Sequence, residues 1–172
     1  MALCNTAALQ YDVGFHRVHH MKLDLDQYVP GMLLWLSNKT SASASKIYKA
    51  KFGIGISEWR VLSFVAIHPW STATQASEFM GLDKAAVSRS ISVLTGGSWL
   101  KSRPVGLRKV EYATTVSGQR LYENIVKVAI AREDALLKGF SPAERSLLIE
   151  FLHRLLKNLD ATGSVGWDED WT

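Results

Sequence analysis

The chain has 172 residues, 47% of them hydrophobic and 21% charged, and a net charge of +4. This composition is ordinary for a globular protein with one sizeable core, and the basic balance favours an anionic partner. A single cysteine, Cys4, excludes an intrachain disulfide, and the absence of an apolar run long enough for a membrane span leads us to expect a cytoplasmic protein.

Residues 1–23 are predicted to form a flexible N-terminal arm, in which His16, His19 and His20 cluster. The cluster is compatible with a metal site or with a contact to DNA or a partner. A mobile polar arm is favoured because no cysteine lies close by to complete a ligand set. We therefore expect no metal and no cofactor, and we interpret Cys4 as a bystander thiol, since nothing nearby would lower its pKa.

Two helices are predicted next, over residues 25–52 and from Ser57 to about Ile67. The first has Pro30 at a position suited to a first turn and an apolar stripe formed by Leu33, Leu34, Ile47, Tyr48 and Phe52. Ser57 is expected to cap the second helix, whose inward-facing residues are predicted to be Trp59, Leu62, Val65 and Ala66.

A helix-turn-helix pattern follows. Thr72 is predicted to cap a short helix with Ala76, Phe79 and Met80 on one side, and Gly81 to break it. Asp83 is predicted to cap a second helix, in which Val87, Ile91 and Leu94 recur on one buried face. The opposite face carries small, hydroxylated or basic residues suited to a DNA major groove: Lys84, Ala85, Ser88, Arg89 and Ser92.

A β-hairpin is predicted directly after this helix. Residues 101–104 and 108–115 are both extended in pattern, and Gly106 lies where a turn is needed. Basic residues mark the hairpin: Lys101, Arg103, Arg108 and Lys109. A basic hairpin behind a recognition helix is a wing, which can contact the DNA backbone or minor groove.

Two further helices are predicted after the wing. The first runs from Ser117 to about Lys138, with Leu121, Ile125, Val128, Ala135 and Leu136 on its apolar side and Gly139 as its C-cap. The second begins with a capping box at Ser141, Pro142 and Glu144 and carries a leucine-rich face: Leu148, Phe151, Leu152, Leu155 and Leu159. These helices hold more apolar residues than one small core requires. We expect burial against a second copy, with a larger monomer core as the alternative.

The chain resembles the MarR family of winged-helix transcription regulators from about Leu25 to Leu159. The resemblance depends on the order and spacing of several fragments: Ser57-Glu58-Trp59-Arg60-Val61-Leu62, Thr72, Leu82-Asp83-Lys84, Val87-Ser88-Arg89, Leu94, Leu100-Lys101-Ser102-Arg103 and Thr115-Val116-Ser117-Gly118. Two features depart from the family. The recognition helix ends in Leu94-Thr95-Gly96-Gly97-Ser98 instead of a Leu-Glu pair followed by Gly, and the shorter wing has Val105-Gly106-Leu107 where an Asp usually precedes the tip arginines.

The resemblance and the residues together predict a mainly α fold with a small β-wing, in which a winged helix-turn-helix core is flanked by long N- and C-terminal dimerisation helices. The winged-helix domain is predicted at residues 24–160, with the DNA-binding lobe at about 56–116, dimerisation helices at about 25–52 and 117–160, and a disordered acidic tail at 161–172. We do not expect the protein to be an enzyme, because its sequence contains no nucleotide-binding loop, no metal-ligand spacing and no nucleophile elbow.

The predicted function is that of a homodimeric transcription regulator, expected to be a repressor, that binds a pseudo-palindromic double-stranded DNA site sequence-specifically. The predicted DNA contacts are Thr72, Thr74, Lys84, Ala85, Ser88, Arg89, Ser92, Arg103, Arg108 and Lys109. The resemblance also implies a small aromatic or phenolic effector, in a crevice that Trp35, Lys39 and Trp59 would line. The alternative is a winged helix that contacts proteins and binds no DNA.

Overall fold

The computed structural model describes residues 22–107 and 109–163 and confirms a mainly helical fold with a small antiparallel sheet. The predicted arm up to residue 21, with Cys4 and the three histidines, lies outside the described residues, as do Arg108 and residues 164–172. The elements in chain order are α1 (Val29–Phe52), α2 (Ile56–Ile67), β1 (Ser71–Thr72), α3 (Ala73–Met80), α4 (Lys84–Gly96), β2 (Leu100–Val105), β3 (Lys109–Thr114), α5 (Val116–Leu136), α6 (Pro142–Lys157) and α7 (Leu159–Gly163).

The chain divides into two compact units, and the first ends at Ser43. Its helical part is residues 29–43 of α1, where the Thr40 hydroxyl donates a hydrogen bond to the Leu36 carbonyl at 2.7 Å. Four consecutive large apolar residues are exposed there: Leu33, Leu34, Trp35 and Leu36. A helix that is apolar on all sides has to be covered to be stable in water, so this stretch is a candidate for burial against another chain.

The second unit, from Ala44 onward, contains the hydrophobic core. The C-terminal part of α1 contributes Ala44 and Tyr48 to it, and the Tyr48 ring meets the Trp59 ring edge-on at 5.8 Å between centroids. Ile54, between α1 and α2, also belongs to it. The other residues of this buried cluster come from five elements, namely α2, α3, α4, β2 and α5: Val61, Leu62, Phe64, Val65, Ala76, Val87, Ile91, Leu94, Leu100 and Ile125.

The start of α2 corrects one prediction. Its N-cap is Gly55 and not Ser57, because the Glu58 carboxylate accepts a hydrogen bond from the Gly55 amide at 2.8 Å, which is the Glu half of a capping box. Leu62 and Val65 are buried as predicted, while Trp59 and Ala66 are only partly buried.

The three strands form one antiparallel sheet in the order β1-β3-β2. Strands β2 and β3 are the predicted hairpin, with Leu100 opposite Thr114 and Val105 opposite Lys109. The two-residue strand β1 was not predicted. It pairs Ser71 with Tyr112 and Thr72 with Glu111, and thereby joins the wing to the residue that caps α3.

The last helices are close to their predicted positions. Helix α5 begins one residue before Ser117, because Thr115 is its N-cap, and it ends at Leu136. Ile125 is buried, but Ala135 and Leu136 are exposed. Gly139, predicted as the C-cap, has a φ of +94° and lies two residues beyond the cap at Leu137.

Helix α6 has the predicted capping box, and none of its residues is buried within the described part of the chain. The short helix α7 follows through Gly163, so residues 161–163 of the predicted tail are helical. Among the described residues, no helix combines the length and the apolarity that crossing a membrane requires.

Candidate nucleic-acid interface

Helix α4 has two sharply different faces. Its first turn is closed by the Asp83 carboxylate, which accepts a hydrogen bond from the Ala86 amide at 3.0 Å. Val87, Ile91 and Leu94 are at most 6% exposed, so they fix the rotation of the helix about its axis. All five residues predicted for the opposite face are therefore exposed: Lys84, Ala85, Ser88, Arg89 and Ser92.

The turn between α3 and α4 is held by a reciprocal pair of hydrogen bonds. The Leu82 amide donates to the Ser77 carbonyl at 3.1 Å, and the buried Ser77 hydroxyl donates to the Leu82 carbonyl at 2.7 Å. Gly81 has the left-handed conformation expected at a helix end, with a φ of +62°. These two hydrogen bonds fix the turn and so the angle between α3 and α4. The sequence pattern alone did not indicate them.

Phe79 corrects another prediction. It was grouped with Ala76 and Met80 on one side of α3, but Ala76 is buried while Phe79 is 72% exposed. Its ring lies 5.2 Å from that of Phe64 and 5.6 Å from that of His68, between centroids. Helix α3 has only eight residues, and Ala76 and Ser77 are the two that it buries, so Phe79 covers the outside of the core rather than filling it.

The N-terminus of α3 opens onto a groove of about 570 Å³ beside the wing. The Thr72 hydroxyl accepts a hydrogen bond from the Gln75 amide at 3.2 Å, and the Gln75 side-chain oxygen accepts one from the Thr72 amide at 2.8 Å. Thr74 is exposed, and Lys109 lines the groove from the side of β3. Two hydroxyls and an ammonium group at a helix N-terminus suit a negatively charged ligand.

The wing is a hairpin of two six-residue strands, and the described residues of its tip are open to solvent. Gly106 supplies the turn with a φ of +64°, and the Leu107 side chain is entirely exposed. Lys101, Arg103 and Lys109 are exposed as predicted.

Arg103 differs from the other predicted contact residues because it has partners inside the protein. Its Nε and Nη2 atoms donate to Oε2 of Glu111 at 2.9 and 2.7 Å, across the hairpin. Its guanidinium carbon lies 4.1 Å from the centre of the Trp70 ring. The wing thus has an ion pair of its own although it lacks the Asp that usually precedes the tip arginines in MarR proteins.

The base of the wing is fastened to the start of α5. The hydroxyls of Thr115 and Ser117 both donate to the Ser98 carbonyl, at 2.8 and 2.9 Å. Ser98 has a φ of +59°. Gly118 is buried so close to Trp99 that a Cβ there would lie 1.9 Å from the Trp99 carbonyl oxygen. These contacts therefore fix the direction in which the wing extends from the start of α5.

The residues predicted for an effector crevice are distributed over both units. Trp35 and Lys39 are exposed in the first unit. Trp59 belongs to the second, where its ring stacks on Tyr122 at 5.7 Å between centroids with an interplanar angle of 20°. Trp59 thus has a packing role in the core. Within residues 22–107 and 109–163, no group of three or more His, Cys, Asp or Glu side chains is arranged to hold a metal ion.

Comparison with protein families and solved structures gives consistent results. The MarR family model matches residues 52–107, which include α2, α3, α4 and β2, the first strand of the wing. The MarR/EmrR family transcriptional regulator from Acinetobacter sp. ADP1 is 33% identical, with a TM-score of 0.75 over 81% of this chain and 99% of that one.

Two solved structures with DNA are also similar. A MarR family transcriptional regulator from Listeria monocytogenes, complexed with 26mer DNA, is 16% identical and has a TM-score of 0.73 over 77% of this chain and 89% of its own. The MepR–DNA complex of S. aureus is 16% identical, with a TM-score of 0.67 over 78% of this chain and 98% of its own. At these identities the likeness is one of fold. Comparison with curated proteins gave no match.

Proposed function

This chain belongs to the MarR family of transcriptional regulators, and from that premise we propose that it is a cytoplasmic homodimer that binds a pseudo-palindromic double-stranded DNA site and represses transcription from it. The single observation that carries the proposal is the exposed polar and basic face of α4 beside a basic wing. Two such faces, related by a two-fold axis, fit successive major grooves about 34–36 Å apart.

Each exposed residue of α4 has a chemical role in this arrangement. Arg89 can pair with guanine O6 and N7 through two hydrogen bonds, while Lys84 and Ser88 reach base edges or nearby phosphates. Ala85 is small enough to touch a thymine methyl group. Ser92 donates its hydroxyl to the Ser88 carbonyl at 3.0 Å, so it offers an acceptor to the groove. Thr72, Thr74 and Lys109 are suited to phosphate contact from the groove beside the wing.

The apolar surface of α6 and of the first residue of α7 supports the dimer. Phe151, Leu152 and Leu155 of α6 and Leu159 of α7 are all at least 38% exposed, and an exposed apolar surface of this size is unfavourable in water. The exposed apolar residues of α1 carry the same implication. Self-association would cover both surfaces without adding any other partner.

DNA binding is tested by titration against duplex DNA at two salt concentrations, followed by selection of bound sequences. We expect binding that weakens steeply with salt and selected sites with a two-fold repeat. Arg89→Ala should cost about 1–3 kcal/mol per half-site, or roughly 5- to 150-fold, and relax the preference at one base position.

Lys138→Ala is the matched control, because it removes one exposed positive charge at the far end of α5 from the wing. If wild-type protein binds no duplex at low salt, the rival function applies, namely a winged helix that contacts proteins. If Arg89→Ala weakens every sequence equally, Arg89 contacts phosphate only.

The dimer is tested by sedimentation velocity. Wild-type protein should sediment as twice 19.1 kDa, and Leu152→Asp combined with Leu155→Asp should shift it to a single chain. Leu107→Asp, at the exposed wing tip, is the control for a leucine-to-aspartate change outside this surface, with one added charge instead of two. A wild-type monomer at micromolar concentration would exclude the proposed two-fold arrangement.

A response to a small aromatic or phenolic anion is the remaining part of the proposal, with Trp35, Lys39 and Trp59 as its candidate residues. An effector acts only through a difference in affinity between the DNA-competent state and other states. Benzoate and phenol are suitable probes. Release of bound DNA by millimolar benzoate, lost in Lys39→Ala, would support the crevice, and unchanged DNA affinity would exclude it for these probes.

A further inference from the structure

Trp70 has a backbone conformation that is unfavourable for a large side chain. Its φ is +62°, in the left-handed region where residues other than glycine carry a cost of about 1–2 kcal/mol. Such a conformation persists only where the surrounding contacts enforce it. The contacts recorded for the Trp70 ring come from the wing.

Two wing cations lie over the Trp70 ring. The Arg103 guanidinium carbon is 4.1 Å and the Lys101 Nζ is 5.3 Å from the ring centre. These distances are within the range in which a cation is attracted to an aromatic face, and the interaction is worth about 0.5–1 kcal/mol at exposed sites. Lys101 and Arg103 alternate on β2, so both of their side chains are on the same face of the hairpin.

Trp70 also connects the wing to the helix-turn-helix. It directly precedes β1, where Thr72 pairs with Glu111 on β3, and Glu111 in turn lies opposite Arg103 on β2. Thr72 is the N-cap of α3. The cap of α3 is thus connected to β3 through β1 and to β2 through β3. Arg103 on β2 then contacts Trp70, the residue before β1.

Arg103 uses part of its guanidinium inside the protein. Its Nε and Nη2 atoms donate to Glu111, which also offsets its charge, and one face lies over Trp70. To bind a phosphate through Nε and Nη2, Arg103 would have to leave Glu111. Lys109, in contrast, lies at the end of β3 and lines the groove beside α3.

We propose that Arg103 is a positioning residue, which Trp70 and Glu111 hold so that it clamps the wing against the N-terminal end of α3, and that Lys109 makes the phosphate contact of this region. This assignment replaces the predicted DNA contact of Arg103, and it rests on the proposed function for its consequence in DNA binding. The clamp fixes where the wing meets the duplex relative to α4.

The clamp itself is tested without DNA, by amide hydrogen exchange in residues 100–114. Trp70→Ala and the charge-neutral pair Arg103→Gln with Glu111→Gln should each accelerate exchange there about 3- to 10-fold, at an unchanged melting temperature. Trp70→Phe keeps an aromatic face and should restore most of the protection. Neutralising the Arg145–Asp134 ion pair of α5 and α6, through Arg145→Gln with Asp134→Asn, is the control and should leave wing exchange unchanged.

The role in DNA binding is tested by the salt dependence of affinity. The Arg103→Gln, Glu111→Gln pair leaves the net charge unchanged, so we expect binding about 3- to 10-fold weaker at every salt concentration, with the wild-type slope. Lys109→Gln should instead reduce the slope by about 0.9 per wing. Trp70→Phe should bind DNA more tightly than Trp70→Ala does. This result would support a role of the aromatic ring in holding the wing for DNA binding.

Three results would overturn the proposal: unchanged wing exchange in both clamp variants, a slope reduced by about 0.9 per wing in the charge-neutral pair, or an unchanged slope in Lys109→Gln. A failure of the proposed function looks different. In that case wild-type protein would show no salt-dependent affinity for duplex DNA, and the exchange experiment would still decide whether Trp70 and Glu111 hold the wing.

Discussion

Replacing Gly118 with alanine measures how tightly the base of the wing is closed against α5. The new Cβ would lie 1.9 Å from the carbonyl oxygen of Trp99 and 2.8 Å from its carbonyl carbon. Non-bonded carbon and oxygen atoms normally stay about 3.3 Å apart or more, so the two backbone segments must separate by more than about 1 Å. The same oxygen accepts a hydrogen bond from the Thr115 amide at 3.0 Å, which this separation would break.

The expected loss of stability follows from three contributions. Forcing extra volume into a packed site costs about 1–3 kcal/mol, and the high end applies because backbone atoms cannot rotate away. The broken hydrogen bond adds about 0.5–1.5 kcal/mol, and alanine returns about 1 kcal/mol through its higher helix propensity. We therefore expect Gly118→Ala to lower the free energy of unfolding by about 2.5–3.5 kcal/mol.

Urea unfolding at one fixed protein concentration is the assay, since self-association would make stability depend on concentration. Gly96→Ala is the matched control, because that glycine is also helical and a Cβ there meets nothing within 4 Å. It should be neutral or gain up to about 1 kcal/mol. The packing argument is refuted if Gly118→Ala is as stable as wild type, or gains stability as the control does.

Three further predictions concern single side chains. Ser98→Gly should raise the free energy of unfolding by up to about 1 kcal/mol, because glycine adopts the φ of +59° without strain while the carbonyl keeps its hydroxyl donors; equal or lower stability would contradict this. Burial raises the pKa of Tyr48 above its usual 10.0, against the opposing effect of Arg132, so its stabilising effect is complete below pH 10 and is lost as pH rises through the folded pKa. Alkaline unfolding curves should therefore fall more steeply for wild type than for Tyr48→Phe, and parallel curves would exclude the effect. Hydrogen bonds from the Ser141 amide and hydroxyl lower the pKa of Glu144 from 4.5, so its contribution is present above pH 4.5 and is lost as pH falls through the folded pKa. In Glu144→Gln, the helical circular dichroism signal should consequently change less between pH 5 and pH 3, and an identical change in both proteins would argue against this role.

Features that depend on local chemistry were predictable from the sequence. Asp83 and the Ser141-Pro142-Glu144 box start their helices as expected, because a cap requires only a suitable side chain within three residues of the helix start. The buried face of α4 was predictable for a similar reason, since thirteen residues are enough for the helical period to be read.

Features that depend on contacts between distant residues were not predictable. In the eight residues of α3 the period is too short to orient Phe79, and β1 has two residues that gain their strand character only from β3. The clamp on Arg103 requires the register that places Glu111 opposite it and the turn that brings Trp70 over the wing. Neither follows from the identity of the three residues.

The separation of α4 into two faces has a consequence for how such a protein changes its target. The residues that hold the helix in place, Val87, Ile91 and Leu94, are distinct from those exposed at Lys84, Ala85 and Arg89. Substitutions at exposed positions usually alter stability by no more than about 0.5 kcal/mol. Under the proposed function, the DNA sequence that is bound can therefore change through replacement of outward-facing side chains one at a time, while the helix that carries them stays folded.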